Sequence, residues 1–367
     1  MPKPLSAVDC IAPAFTQTKR QLFSPFRFQR WTRLALVCLI LGDFAGGGGG
    51  GGGPSGGFHL PSSQGKGSKT LLAVPDIPWG KIVPWLPWIV ASVALIFALI
   101  LLWIYIASVY RFVLFDSVLY DRCELKGCWR RWEPSGRSFF LWSIALGLGV
   151  MAGFAILVGA PLLLAWNAGW FSHAGEHVGR LILGGGVMFL LLLAWFITGA
   201  VAAVFAKDFC VPIMALEKVG ILDAWRRLLP MLGAEKLAFT GYVLMKIVLA
   251  VGSAIVFGII TIITILVLLI PLGIISLVIF LAGKALGLTL SLATIIILVL
   301  LGGALLLGMI YLVAFISTPA MVFFQSYVLH FLGSRYQPLG AELYPPPPVT
   351  PPAPSPGGLP TLEPSLG

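Results

Sequence analysis

Long uninterrupted apolar runs dominate this chain, and one of them covers residues 237–320 with only two charged residues, Lys246 and Lys284. Overall, 58% of the residues are hydrophobic and 10% are charged, whereas soluble domains carry roughly 25% charged residues. Such a chain cannot cover its surface with polar groups, so we expect lipid to be its solvent. Backbone groups in lipid must be hydrogen-bonded within their own segment, and the runs do not alternate as barrel strands do. The sequence therefore predicts an all-α, polytopic transmembrane helical bundle.

About six segments are candidates for crossing the membrane, since one crossing takes roughly 20 apolar residues. They are residues 34–45, 84–110, 139–166 and 181–206, and two long helices within residues 237–320. The first segment is short and contains Asp43. In the long block, Pro271 predicts a break, with residues 272–283 forming a short interfacial or re-entrant piece. Three ordinary spans in this block are the alternative, and they would place the C-terminus outside.

The distribution of basic residues predicts the orientation, since Lys and Arg near span ends stay on the cytoplasmic side. In the six-span arrangement, 18 basic residues lie inside and 5 outside. We therefore expect a multi-pass protein of the bacterial cytoplasmic (inner) membrane with both termini in the cytosol. The predicted parts are a basic and aromatic cytosolic segment (residues 1–33), a short first span (34–45), an external Gly-rich linker (46–83), a transmembrane domain (84–336) and a disordered Pro-rich tail (337–367).

A short motif occurs twice, at residues 121–134 and 217–230, which are 96 positions apart. Each copy contains an acid, a base, an aliphatic residue, a small residue, Trp-Arg-Arg, an apolar residue and Pro. A repeat of this kind is typical of a duplicated structural unit. We expect the unit to be helix, interfacial helix and helix, with both motif helices at the same membrane face.

Each motif predicts one apolar helical face, because apolar residues recur at positions i, i+3, i+4 and i+7. These residues are Leu125, Cys128, Trp129 and Trp132 in the first copy and Ile221, Ala224, Trp225 and Leu228 in the second. We expect this face to lie in the membrane interface, with the neighbouring arginines reaching anionic headgroups. The candidate lipid or partner contacts are Trp129, Arg130, Arg131, Trp225, Arg226 and Arg227. Topology anchoring alone is the simpler alternative.

Patterns for catalysis or metal binding are weak. His173, Glu176 and His177 match an H-x-x-E-H pattern, but the predicted external loop is rich in glycine and supplies no third ligand. No carboxylate pair or histidine relay lies in the middle of a span, and Lys246 is placed to reach the inner face by snorkelling. We therefore expect no catalytic residue, no cofactor, no metal and no nucleic-acid partner.

Several segments resemble a bacterial integral-membrane family of unknown function. They are Phe-Asp-Ser-Val-Leu at 115–119, Cys-Trp-Arg-Arg at 128–131, Pro-Ile-Met-Ala-Leu-Glu at 212–217 and Ala-Trp-Arg-Arg at 224–227, with aromatic segments near 25–34 and 324–336. More distantly, the Glu…Ala-Trp helix is similar to the membrane domain fused to some glycerophosphodiester phosphodiesterases. The catalytic barrel of those enzymes is missing here. The resemblance therefore implies a fold and no catalytic residues.

The leading functional hypothesis is a non-enzymatic membrane scaffold or accessory protein whose cytosolic-face helices engage anionic membrane lipids or a protein partner. The alternative is a permease or lipid-handling transporter, and an intramembrane enzyme ranks third. Polar residues converging on an internal cavity would favour the transporter. A tightly packed apolar interior would favour the scaffold.

Overall fold

A computed structural model describes residues 4–24, 27–42, 86–120, 125–169, 174–285 and 292–344, and within these ranges it contains helices but no strand. The helices are α1 (Ile11–Phe23), α2 (Phe28–Leu41), α3 (Leu86–Leu119), α4 (Leu125–Asn167), α5 (Ala174–Phe205), α6 (Val211–Glu217), α7 (Ile221–Ala234), α8 (Lys236–Ala285), α9 (Leu292–Gly333) and α10 (Gln337–Leu343). A five-residue π-helical segment, Ala206–Cys210, joins α5 to α6. The predicted all-α class is confirmed.

Five of these helices are long and apolar enough to cross a membrane: α3, α4, α5 with its continuation to Glu217, α8 and α9. The longest, α8, has 50 residues, and at about 1.5 Å per residue it extends for about 75 Å. The hydrocarbon layer of a bilayer is only about 30 Å thick. A substantial part of α8 therefore lies outside that layer.

Buried side chains gather at one end of the long helices. This end, which we call the head, consists of α1, α2, the π-helical segment, α6, α7 and α10 with the adjoining ends of α3, α4, α5, α8 and α9. In α3 the buried residues lie between Ser108 and Val118, and in α9 they lie between Ala314 and Leu332. Residues 86–104 of α3 are largely exposed apolar side chains instead. These 19 residues rise about 28 Å, which matches the thickness of the hydrocarbon layer.

Helices α3 and α4 form an antiparallel pair that leads from the exposed runs into the head. Gly136 of α4 lies directly against Val109 of α3, where an added Cβ would collide with both the side chain and the Cα of that valine. Next to this contact, the Phe112 and Trp132 rings stack with centroids 5.8 Å apart. The absence of a side chain at Gly136 therefore lets the two backbones approach closely.

The N-terminal helices pack on the C-terminal half of α9. The indole Nε1 of Trp31 in α2 donates a hydrogen bond to the Phe315 carbonyl oxygen over 3.0 Å, and the two rings stack 5.4 Å apart. The hydroxyl of Tyr327 donates to the Ala7 carbonyl oxygen over 3.0 Å. Helix α2 ends at Gly42, whose φ of 70° is in the left-handed region that favours glycine. The last turn of α2 is buried in the head, whereas α3 begins at the opposite end of the molecule.

Two boundary predictions need correction. The predicted break at Pro271 and the separate piece 272–283 are wrong, because α8 continues through both as one helix. A proline removes one backbone hydrogen bond, and the strong cost of exposing backbone groups to lipid maintains the helix on either side of it. The predicted disordered tail, residues 337–367, also needs correction at its beginning. Gln337–Leu343 form α10, and Leu339 is buried against the head.

The predicted first span and linker are not described in full. Helix α2 has 14 residues, about 21 Å, so it is shorter than the hydrocarbon layer and is not one of the five long helices. All of residues 46–83, the predicted external linker, lie outside the described residues, as do residues 345–367 of the predicted tail. The loop residues Cys123 and His173 also lie outside them.

This architecture predicts that the two ends of the long helices face opposite sides of the membrane. We expect Thr16→Cys, in the head, and Ala168→Cys, at the other end of α4, to react with a membrane-impermeant maleimide from opposite sides. Both positions are exposed. Labelling of sealed and opened vesicles measures the sidedness. If both cysteines are labelled from one side, the arrangement is wrong.

The natural cysteines should give little background in this experiment. Cys10, Cys38, Cys128 and Cys210 are buried in the head. Burial also raises the pKa of the Cys10 thiol to about 11, so little of the reactive thiolate forms at neutral pH. Replacing Cys123 by Ser removes the remaining thiol.

Candidate membrane-interface site

The first Trp-Arg-Arg motif forms the beginning of α4 rather than a separate helix, because α4 continues through Pro134. Cys128 and Trp132 are buried and face α3, while Trp129 is half-buried and Arg130 is exposed. The predicted helix–interfacial helix–helix unit is therefore not reproduced in this copy, where the motif and the following span are one continuous helix.

The second motif forms a helix of its own, α7. Glu235 separates α7 from α8, and its backbone N–H donates a hydrogen bond to the Met231 carbonyl oxygen. Ile221, Ala224 and Leu228 are buried in the head, and Trp225 is half-buried. The start of α7 is held by α4, because the Ile221 N–H donates to Ser138 Oγ over 3.3 Å.

The two motifs bury equivalent positions. Cys128 and Ala224 correspond to each other, as do Trp132 and Leu228, and all four are buried. The apolar face predicted from the sequence is therefore present in both helices. The expectation that this face lies in the membrane interface stays a prediction, and in the structure its buried positions pack against the head of the protein itself. Periodicity identifies which side of a helix is apolar, but it cannot identify what covers that side.

In both copies the second arginine of the pair contacts an acid near the end of the preceding long helical segment. Arg131 Nη1 lies 4.0 Å from Asp116 Oδ1, and the Asp116 side chain is only 7% exposed. The guanidinium of Arg131 also lies over the Trp132 ring, 5.1 Å from its centroid. Arg227 forms an ion pair with Glu217, which also accepts a hydrogen bond from the Tyr336 hydroxyl. Arg131 and Arg227 are thus part of the structure of the head.

The first arginine of each pair is placed differently. Arg130 is exposed, and Arg226 is exposed while contacting Asp223 three positions earlier over 3.2 Å. A surface contact of this kind contributes little to stability, at most about 1 kcal/mol. Of the four predicted arginines, Arg130 and Arg226 are therefore the two that can reach a ligand without disrupting the head.

The two motif tryptophans lie where the head meets the exposed apolar runs. The Trp129 ring is 6.2 Å from Tyr105, at the end of the exposed run of α3. The Trp225 ring is 6.0 Å from Trp142, next to Leu141, at the start of the exposed run of α4. Tryptophan and tyrosine are enriched at membrane–water interfaces. This part of the molecule therefore has the composition of an interfacial belt.

A buried ionic cluster in the head was not predicted from the sequence. Asp208, in the π-helical segment, forms an ion pair with Lys246 of α8, and both are nearly completely buried. The Tyr242 hydroxyl donates to Asp208 Oδ2 over 2.9 Å, and the Tyr242 ring stacks on Tyr327 at 5.4 Å. Lys246 therefore does not snorkel to the surface as expected. An ionisable residue inside an apolar run is itself a signal that a partner exists.

Arg335, directly after α9, joins three parts of the head. Its Nε donates to Glu235 Oε2 over 2.7 Å, and its Nη1 donates to the Leu5 carbonyl oxygen over 3.0 Å. Its guanidinium also stacks on the Phe331 ring at 4.0 Å. The N-terminal residues, the junction of α7 with α8, and the end of α9 thus meet at one side chain.

The exposed apolar runs on five long helices define a multi-pass membrane protein. The chain belongs to DUF7544, a family of unknown function that matches residues 5–341. The match begins before α1 and ends within α10, so the family unit contains both the head and the long helices. Searches of curated proteins and of solved structures found no match. The more distant relation to phosphodiesterase membrane domains stays a prediction. Among the described residues, no group of three or more His, Cys, Asp or Glu side chains is arranged to hold a metal ion.

The different roles of the paired arginines can be measured. Arg131→Gln removes the cation 4.0 Å from the buried Asp116 carboxylate and should destabilise the protein by about 1 kcal/mol, since Arg131 itself is largely exposed. The matched Arg130→Gln change should alter stability by no more than about 0.5 kcal/mol. Unfolding in detergent measures both, and Asp116→Asn should restore part of the loss in the Arg131 variant. Equal effects of the two arginine changes would contradict this assignment.

The buried cluster should have a larger effect. Lys246→Met removes the cation beside Asp208 and should cost roughly 3–5 kcal/mol, since an unpaired charge remains buried. Adding Asp208→Asn should recover much of this loss. Lys236→Met, at an exposed position of the same helix, is the control and should be nearly neutral. Unfolding measurements in one detergent compare the three proteins, and a neutral Lys246→Met would argue against the ion pair.

Proposed function

We propose that this protein is a non-enzymatic scaffold or accessory protein of the bacterial inner membrane, and that its head binds anionic phospholipid headgroups at the cytosolic face. The observation that carries the proposal is that two exposed arginines, Arg130 and Arg226, are not the ones that pair with Asp116 and Glu217 of the head. Both lie in a belt of tryptophan and tyrosine side chains beside the exposed apolar runs.

The charge of the head supports a cytosolic orientation. Eleven of its basic residues are exposed, compared with four exposed acidic residues, among the positions whose side chains are described. The exposed basic residues are Lys19, Arg20, Arg27, Arg33, Arg130, Arg131, Arg137, Lys218, Arg226, Arg227 and Lys236. The exposed acidic residues are Asp9, Glu133, Asp223 and Glu342. Basic residues at span ends are retained in the cytoplasm, so the head, with the N-terminal helices in it, belongs on that side in this proposal.

The proposed topology has six membrane crossings. Helix α2 ends in the head and α3 begins at the opposite end. Five long helices then alternate in direction and return the chain to the head at α10. The duplicated unit is supported by the equivalent burial of the two motifs and by the matching ion pairs of Arg131 and Arg227.

Anionic lipid is the ligand that the exposed arginines suit best. A guanidinium presents a planar set of donors that matches phosphate oxygens, and each basic residue near an anionic leaflet gains about 1 kcal/mol. The alternative ligand is a membrane or cytosolic protein partner. A permease or lipid-handling transporter is the alternative function. The head interior favours the scaffold, because its largest buried side chains are Tyr, Phe, Ile, Met and Leu.

Lipid retention tests the proposal. The double variant Arg130→Gln, Arg226→Gln removes two exposed charges and keeps the structural arginines, so it should purify with less phosphatidylglycerol and cardiolipin than the natural protein. Lys19→Gln, Arg20→Gln removes two exposed charges from α1 and is the matched control. Mass spectrometry of lipids extracted after gentle detergent purification measures the difference. Unchanged lipid in the first variant would contradict lipid binding and point to a protein partner.

A further inference from the structure

Helix α7 has a second apolar side, opposite to the one that packs in the head. Leu222 and Leu229 are 67% and 58% exposed. They are seven positions apart, and Arg226 lies between them at helical spacing on the same side. The exposed side of α7 therefore presents two leucines flanking one cation.

The first turn of α8, which follows α7 directly, also exposes an apolar side chain. Leu237 is 89% exposed, and the neighbouring Lys236 is also exposed. Further along, the exposed side of α8 is apolar, with Leu244, Ile247 and Val248 among its exposed residues. The exposed leucines of α7 are thus followed directly in the chain by a helix that is long and apolar enough to cross the membrane.

The first motif lacks this second apolar side. The positions that correspond to Leu222 and Leu229, 96 residues earlier, are Lys126 and Glu133, and Glu133 is exposed. The two motif helices bury the same positions but differ in what they present outward. A charged outer side suits water, and an apolar side flanked by cations suits the boundary between headgroups and acyl chains.

The position of α7 agrees with that boundary. Its Trp225 contacts Trp142 at the start of the exposed run of α4, with the ring centroids 6.0 Å apart. We infer that the outer side of α7, formed by Leu222, Arg226 and Leu229, inserts together with Leu237 of α8 into the cytosolic leaflet of the bilayer that the long helices cross. The outer side of the start of α4, with Glu133, stays at the level of the headgroups and does not insert. The bilayer is the occupant because Trp225 places α7 beside the exposed apolar run of α4 and because the chain continues from α7 directly into the long apolar helix α8.

The inference rests on the proposed function in one respect, namely that the outer side of α7 enters the cytosolic leaflet. Insertion itself requires no anionic lipid. Nitroxide spin labels at Leu222→Cys and Leu229→Cys, with Glu133→Cys as the matched control, test it in nanodiscs after Cys123→Ser. Labels on α7 should be more accessible to oxygen, which partitions into lipid, than to a water-soluble nickel chelate. The label at Glu133→Cys should show the opposite order. Thermal unfolding checks that each labelled protein is folded.

Two results would overturn the inference. Labels on α7 that are more accessible to the nickel chelate would place this side in water. Labels shielded from both reagents would place it under protein, either a second copy of the chain or a partner. The expected result should hold in nanodiscs of phosphatidylcholine alone. Insertion there combined with unchanged lipid in the Arg130, Arg226 variant would disprove the proposed function and leave this inference standing.

Discussion

Ion pairs between helices in the head hold the long helices in register. Four of them connect different segments: Asp116 with Arg131, Asp208 with Lys246, Glu217 with Arg227, and Glu235 with Arg335. Apolar helices in lipid gain no hydrophobic energy by associating, since acyl chains are as apolar as leucine. A charge that is half-buried or buried requires its partner, and removing the partner is costly. Polar contacts in the head therefore specify which helix ends lie together.

The features that were predictable from the sequence depend on local composition. Few charges and long apolar runs are sufficient to predict helices and lipid, and the spacing of Cys128, Trp132, Ala224 and Leu228 is sufficient to predict one apolar side for each motif. The pairing of Asp208 with Lys246 was not predictable, because the two are 38 positions apart and α7 and part of α8 intervene. The break predicted at Pro271 is wrong. Proline commonly ends a helix in water, but in lipid the cost of exposing unpaired backbone groups keeps the helix intact on both sides of the proline.

The two copies of the motif make similar contacts inside the head but differ in the residues that they expose. The second arginine of each copy contacts an acid near the end of the preceding helical segment, although those acids, Asp116 and Glu217, are not at matching sequence positions. The inner side is small or apolar in both copies. The outer side exposes Glu133 in one copy and two leucines in the other. Packing thus constrains one side of each helix, while the surrounding solvent determines the residues on the other.

In each motif, the second arginine pairs with an acid of the head, and this pairing affects what the first arginine can do. Arg131 and Arg227 are partly neutralised by the acids they contact, so the charge available at the surface is smaller than the sequence suggests. Their contacts also fix the helix on which the adjacent arginine stands. Arg130 and Arg226 consequently project from rigid helices, and a rigid donor loses less conformational entropy on binding than one on a flexible loop. In the proposed function, the structural arginine therefore strengthens binding by positioning its neighbour.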